Sequence, residues 1–201
     1  AGIAIEQGYS IATGGYNKGV MRAASEEAIK KAGELGIDNA GLVVKSFVLN
    51  AKTKIETVNG TDLVESDTLI ERLKHLIDES SAFIILGGGT GTIVELISTL
   101  QSERVQRMLE DKESASRPII IIDPSMELTD LLATLSRRDK KLKSDAILDE
   151  IYIFSHSSNI PGAIKEILDS YYKKKNGEPI PEETKQRLQN ISLKKFLYSQ
   201  E

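Results

Sequence analysis

No cysteine and no tryptophan occur in the 201 residues, and only two are histidine. Without cysteine the chain can form no disulfide and do no thiolate chemistry. That absence suits a reducing compartment, and a cytoplasmic location is the expectation. The two histidines, His75 and His156, lie far apart in the sequence, so a zinc site built from His and Cys is not expected. Long apolar runs are missing too. The longest are strand-sized, so no membrane span is predicted, and no signal peptide is visible at the start. An excess of basic charge is also lacking. The formal net charge is -4, so nothing global attracts nucleic acid or anionic lipid.

What is present is an ordinary soluble composition with aliphatic weight. The core must rest on Ile, Leu, Val and Ala. A chain of this length hides roughly 70% of its unfolded surface on folding and needs no staples. Turns, strands and helices alternate along it. Residues 9–13 read as a strand, broken by Gly14 and Gly15. Residues 20–35 read as a helix with Val20, Ala23, Ala24, Ala28 and Ala32 as its apolar stripe. Residues 42–48 read as a strand, and 50–62 as a hairpin or loop. A helix follows from an N-cap at Asp67 to Ile77. The runs 82–86 and 118–122 are continuous and apolar, as strands covered on both faces require. Helices over 92–109, 128–135 and 161–172 and a strand over 151–154 complete the pattern. Such alternation predicts an α/β fold, a Rossmann-like doubly wound parallel sheet. Residues 1–175 are expected to form this nucleotide-phosphate-binding domain. Residues 176–201 are expected to form a linker and an extra C-terminal helix over 182–197, packed on the domain or on a second subunit. The chain opens in what reads as the end of a helix, whereas doubly wound domains normally begin with a strand. A first strand and most of its helix are therefore expected to precede Ala1.

The most informative segment is Gly87-Gly88-Gly89-Thr90-Gly91-Thr92, between the strand at 82–86 and a helix. Open α/β sheets bind ligands at the carboxyl ends of their strands. Glycines let a backbone approach an anion closely. The N–H groups of a first helical turn, with the helix dipole behind them, favour a phosphate. No Lys follows the glycines, so this is not a Walker A loop. The sixth position of GxGxxG falls on Thr92 or Val94, so a dinucleotide site is a poor match. The competing reading is a glycine-rich turn that only allows tight packing. Glu95 lies about one turn into the same helix, where the positive helix end should favour its ionised form. It either acts at the site or simply suits a helix start. Asp62, Glu65 and Asp67 could suggest a metal, but a solvated loop and a helix cap account for them.

Gly88 to Glu95 resembles the PGGxGTxxE motif of the LOG-like proteins, with Gly87 in place of the leading Pro. These are cytokinin-activating phosphoribohydrolases, long described in error as lysine decarboxylases. Residues 13–21 resemble the family's GGGxxGxM loop, with Tyr16 where a third Gly is usual. Residues 69–73 occupy the place of its MHERK segment, and Arg72 falls on the arginine. The spacing from Arg72 to Glu95 agrees with the family's, and the resemblance spans roughly residues 5–170. Val94, where plant-type members often carry Glu, together with Ile70 and Leu73, places the chain outside the close plant-type group.

The resemblance implies hydrolysis of the N-glycosidic bond of a nucleoside 5'-monophosphate, without metal or cofactor. Gly88, Gly89, Thr90, Gly91 and Thr92 would hold the 5'-phosphate, and Gly14 and Gly15 would line the sugar phosphate. Glu95 would stabilise the oxocarbenium-like transition state, and Arg72 would orient Glu95 or the nucleotide. The expected partners are the nucleotide and a second copy of the chain, as a homodimer. The same superfamily contains molybdenum-cofactor carriers, which bind without hydrolysis, and nucleotide-sensing modules. Both remain alternatives.

Overall fold

The computed structural model describes residues 1–50, 56–109, 116–139, 142, 146–155 and 159–198. His156 and part of the 50–62 segment lie outside the described residues. The chain divides into two compact units, Ala1–Ser80 and Ser81–Glu201. Each is a parallel α/β unit, so the fold is of the expected Rossmann-like α/β class. The described strands form two three-stranded parallel sheets, one in each unit.

In the first unit a short helix α1 (Gly2–Glu6) leads into β1 (Ile11–Thr13), α2 (Gly19–Glu34), β2 (Val44–Leu49), β3 (Asp62–Ser66) and α3 (Leu69–Asp78). The strand order is β1-β2-β3, with Thr13 opposite Ser46 and Leu49 opposite Ser66. One cluster of its core is Ile5, Ala28, Ala32 and Val44, with Ile11, Ile29 and Val43 packed against it, and Phe47, Val48, Val58 and Ile77 are buried as well. Ala28 and Ala32 lie one helical turn apart, and small side chains there let α1 and β2 come close to α2. Of the expected apolar stripe of α2, Ala28 and Ala32 are buried, together with Ser25, and Ala24 is half-buried, but not Val20 and Ala23. Both of these are exposed, because they precede the part of α2 that packs on the sheet.

Two local readings change. The segment 62–66, expected as loop, is an edge strand whose outer residues are largely exposed. Charged residues along it obscure the pattern, as edge strands permit. The cap of α3 is Thr68 rather than Asp67. Thr68 Oγ1 accepts from the Glu71 N–H at 3.1 Å, and Glu71 Oε2 accepts from the Asp67 N–H at 3.0 Å. This reciprocal pairing resembles a capping box.

The hydroxyls of Ser25, Ser46 and Ser66 are buried and have no hydrogen-bond partner among the described residues. A buried unpaired hydroxyl costs roughly 1–3 kcal/mol of desolvation. Ser25→Ala and Ser46→Ala should therefore each raise the midpoint of urea unfolding, by about 1 kcal/mol of stability. A loss of stability in either variant would mean that the hydroxyl has a partner.

In the second unit the order is β4 (Phe83–Leu86), α4 (Thr90–Leu109), β5 (Ile119–Ile122), α5 (Glu127–Arg138), β6 (Ile151–Phe154) and α6 (Ile160–Lys175). The sheet order is β4-β5-β6, with Leu86, Ile122 and Phe154 in register. Central β5 matches its sequence, since Ile119, Ile120 and Ile121 are fully buried. β4 is an edge strand of this sheet, and its Ile84 is 42% exposed. Its continuous apolar run therefore does not have both faces fully covered within this unit.

The helix expected over 182–197 is two helices, α7 (Glu182–Asn190) and α8 (Leu193–Tyr198). The break has a cause. The Ile153 N–H donates to the Ile191 carbonyl at 3.0 Å, and Ser192 pairs antiparallel with Tyr152. A backbone committed to a strand edge cannot continue a helix. Leu188 and Leu193 are buried, and Lys194 pairs with Asp149 at 2.8 Å. The extension thus packs on its own unit.

Tyr152 is 5% exposed, and its hydroxyl donates to Glu150 at 3.2 Å. Burial first, then the Glu150 charge, pushes its ionisation far above the ordinary value of 10. Tyr171 shifts the same way, mainly through burial. Below pH 10 both phenols are neutral whether folded or unfolded, so nothing is lost there. Above it the unfolded chain releases protons that the folded chain retains, so stability falls as pH rises. In an alkaline absorbance titration of the six tyrosines, Tyr152 should ionise only as the protein unfolds, and Tyr171 later than an exposed tyrosine. Six ionisations complete before the circular dichroism changes would contradict this.

Candidate functional site

The second unit carries the glycine-rich loop at the carboxyl end of β4. Gly87, Gly88 and Gly89 follow Leu86, and α4 begins at Thr90. The Thr92 and Ile93 N–H groups turn back to the Gly89 carbonyl at 3.0 and 3.3 Å, which starts the helix. The preceding N–H groups of such a turn have no carbonyl within the helix to bond. Residues 87–91 are exposed.

The four glycines do not serve one purpose. A Cβ at Gly88 would collide with Thr92 Oγ1, so Gly88 lets the Thr92 hydroxyl fold back onto the loop. A side chain at Gly87, Gly89 or Gly91 would meet no atom within 4 Å. None of the four has a positive φ. Neither packing nor backbone conformation calls for glycine at those three positions. What a Cβ there would fill is the open space over the helix start.

Glu95 lies in the second turn of α4 and is half-buried. Deeper in the same helix, Glu103 is 1% exposed. Its carboxylate accepts from the Arg117 N–H at 2.8 Å and from Arg117 Nε at 2.7 Å. The Arg117 guanidinium also lies over the Phe83 ring, 4.9 Å from its centroid. This cluster anchors α4 to the starts of β4 and β5, the end of the sheet away from the loop.

Beside the loop, one register position along, stands Asp123, which is fully buried. Its Oδ2 accepts from the Thr129 N–H at 2.9 Å and from the Thr129 hydroxyl at 3.0 Å, and its Oδ1 from Ser125 at 3.1 Å. Asp123 therefore shapes the turn into α5, where Met126 is left-handed with φ 63°. The sequence reading passed over Asp123. The Asp-Pro-Ser run closing an all-isoleucine strand was the available signal.

The first unit carries the other predicted residues. Gly14 and Gly15 follow β1 and are both buried. Gly15 has φ +74° and sits against Ser46 and Val48. A Cβ on Gly14 would collide with the Arg72 guanidinium and would lie 2.6 Å from Met21 Sδ. Arg72, on α3, is 6% exposed, unlike a surface arginine. Its Nε donates to the Phe47 carbonyl at 2.8 Å, and its guanidinium lies 5.7 Å from the Tyr16 ring centroid. The structure therefore brings Arg72 together with Gly14 within this unit. Asp62, Glu65 and Asp67 are exposed along β3 and its end. No group of three or more His, Asp or Glu among the described residues could hold a metal ion. No helix among them is long and apolar enough to cross a membrane.

No curated protein matches the chain. A family model described as "Possible lysine decarboxylase" matches residues 21–156, more than half of the chain and part of each unit. The match includes Arg72, the glycine-rich loop and Glu95. The chain belongs to this family, that of the LOG-like proteins.

Proposed function

We propose that the protein hydrolyses the N-glycosidic bond of a nucleoside 5'-monophosphate. Water adds across the bond between C1' and the base, giving ribose 5-phosphate and the free base. The observation that carries this reading is the set of three glycines, Gly87, Gly89 and Gly91, which packing does not need. They leave room for an anion at a helix N-terminus. Gly88, Thr90 and Thr92 complete the phosphate loop. Glu95, on the same helix, would stabilise positive charge developing at C1'. Gly14, Gly15 and Arg72 are carried into the site by the family resemblance, Arg72 as a group that orients the nucleotide or Glu95. The reaction as proposed uses no metal or cofactor.

The test is incubation with AMP, GMP, CMP, UMP and isopentenyl-AMP, with free base followed by chromatography. Release from at least one supports the reading. No release, combined with thermal stabilisation by a nucleotide or pterin ligand, would move it to a carrier or sensor. One observation favours that second reading: Gly14 and Gly15 are buried rather than open. We also propose a homodimer in the cytoplasm. Val94, Val105, Met108 and Leu109 are exposed along α4 and support self-association. A monomer in gel filtration at micromolar concentration would count against it.

A further inference from the structure

Tyr16 stands where the resembled motif carries glycine, and its surroundings give the larger residue something to do. The guanidinium of Arg72 has the backbone of Gly14 on one side, so close that a Cβ there would collide with it. The Tyr16 ring lies 5.7 Å away. Nε is fixed by the carbonyl of Phe47, itself fully buried. The backbone that carries the ring is held in place. Tyr16 pairs antiparallel with Thr57. The Asn17 N–H donates to the Glu56 carbonyl at 2.9 Å, the Val58 N–H to the Gly15 carbonyl at 3.1 Å, and Asn17 Nδ2 to Glu56 Oε1 at 3.0 Å. A planar cation placed near an aromatic ring and bonded at Nε loses most of its rotational freedom.

We propose that Tyr16 is a positioning residue, which clamps the Arg72 guanidinium against the backbone of Gly14 and so sets the direction of its other N–H donors. Glycine at this position could not do this. The catalytic consequence rests on the nucleotide-hydrolysis reading, whereas the clamp itself does not.

The experiment therefore reads the arginine directly. In the full chain, the Arg72 Nε–H signal is assigned by its loss in Arg72→Lys, and its solvent exchange is measured by NMR. In the unsubstituted protein it should exchange slowly and carry an upfield ring-current shift. Tyr16→Phe should retain both. Tyr16→Leu should keep the fold by circular dichroism but raise the exchange rate. Its kcat/KM should fall by about tenfold, as misplacement of an orienting group does, and Tyr16→Phe should restore it.

A rapidly exchanging, unshifted Nε–H in the unsubstituted protein overturns the clamp, whatever the variants do. A folded Tyr16→Leu with unchanged exchange also overturns it. Faster exchange with unchanged kcat/KM overturns the positioning role. Should Tyr16→Leu not fold, the unsubstituted protein and Tyr16→Phe decide. Should no nucleotide release its base, the hydrolysis reading fails, and the NMR result still decides the clamp.

Discussion

Under the proposed hydrolysis, Glu95→Gln should reduce release of free base by about 10²–10⁴-fold, the range lost with a charge-stabilising or proton-transferring group. The substitution keeps the size of the side chain, removes the negative charge and exchanges one acceptor oxygen for an NH2 donor. Glu95 is half-buried in the second turn of α4, so an amide there should not disturb packing, and the thermal midpoint should move little. The effect should appear in kcat rather than KM, because the charge acts on positive character that arises only in the transition state. A variant that binds AMP as before and does not turn over would place Glu95 on the reaction path. Arg72→Ala should also abolish turnover while the protein still folds. Unchanged ribose 5-phosphate release in both variants would remove the two residues from the mechanism and leave the glycine-rich loop as a binding site only.

Glu103→Gln is the largest expected loss of stability, about 3–5 kcal/mol, the cost of breaking a buried ion pair from one side. The side chains of Glu103 and Arg117 are 2% and 11% exposed. The carboxylate serves both the Arg117 side chain and its backbone N–H. Removing the charge leaves a guanidinium, which cannot deprotonate, without its carboxylate, with the neutral Gln106 Oε1 at 3.4 Å and the Phe83 ring beside it. The double variant Glu103→Leu with Arg117→Met should recover part of the loss, since apolar replacement of a whole buried pair is often neutral. It should still fall short by about 1–3 kcal/mol, because the backbone N–H at position 117 loses the Glu103 carboxylate as its acceptor. Urea unfolding followed by circular dichroism measures both; with no tryptophan, fluorescence would rest on tyrosine. A loss below about 1 kcal/mol for Glu103→Gln would mean that the pair is solvated, as surface pairs are. Because Glu103 and Glu95 share α4, a loosened anchor should also lower activity at the far end of the helix.

These two glutamates show how differently positions on one helix can be read. The place of Glu95 was legible, because a glycine-rich turn between a strand and a helix fixes where α4 begins, and spacing then puts a carboxylate one turn on. Glu103 was not, since in sequence it is one more charge on a charged helix. Its partner is 14 residues away on the approach to β5. Arg72 sits between these cases. Its number came from the family resemblance, and its burial from the way α3 packs on β2.

By itself, the sequence determined the alternation of strands and helices, the buried character of β5 and the glycine-rich turn that leads from β4 into α4. It also determined, through the missing cysteines and the lack of long apolar runs, several chemistries that the chain cannot do. These are local properties: periodicity, turn residues and composition act over a few neighbours. Tertiary structure decided what depends on distant partners. It divided the described strands between two sheets and made β3 a strand and β4 an edge. It split the C-terminal helix, because Ile191 and Ser192 join the backbone of β6. It also separated glycines that look alike in sequence. Gly14 is glycine because Arg72 leaves no room for a Cβ, and Gly89 stands over open space. The difference lies in side chains some sixty residues apart in the chain, which no local pattern encodes.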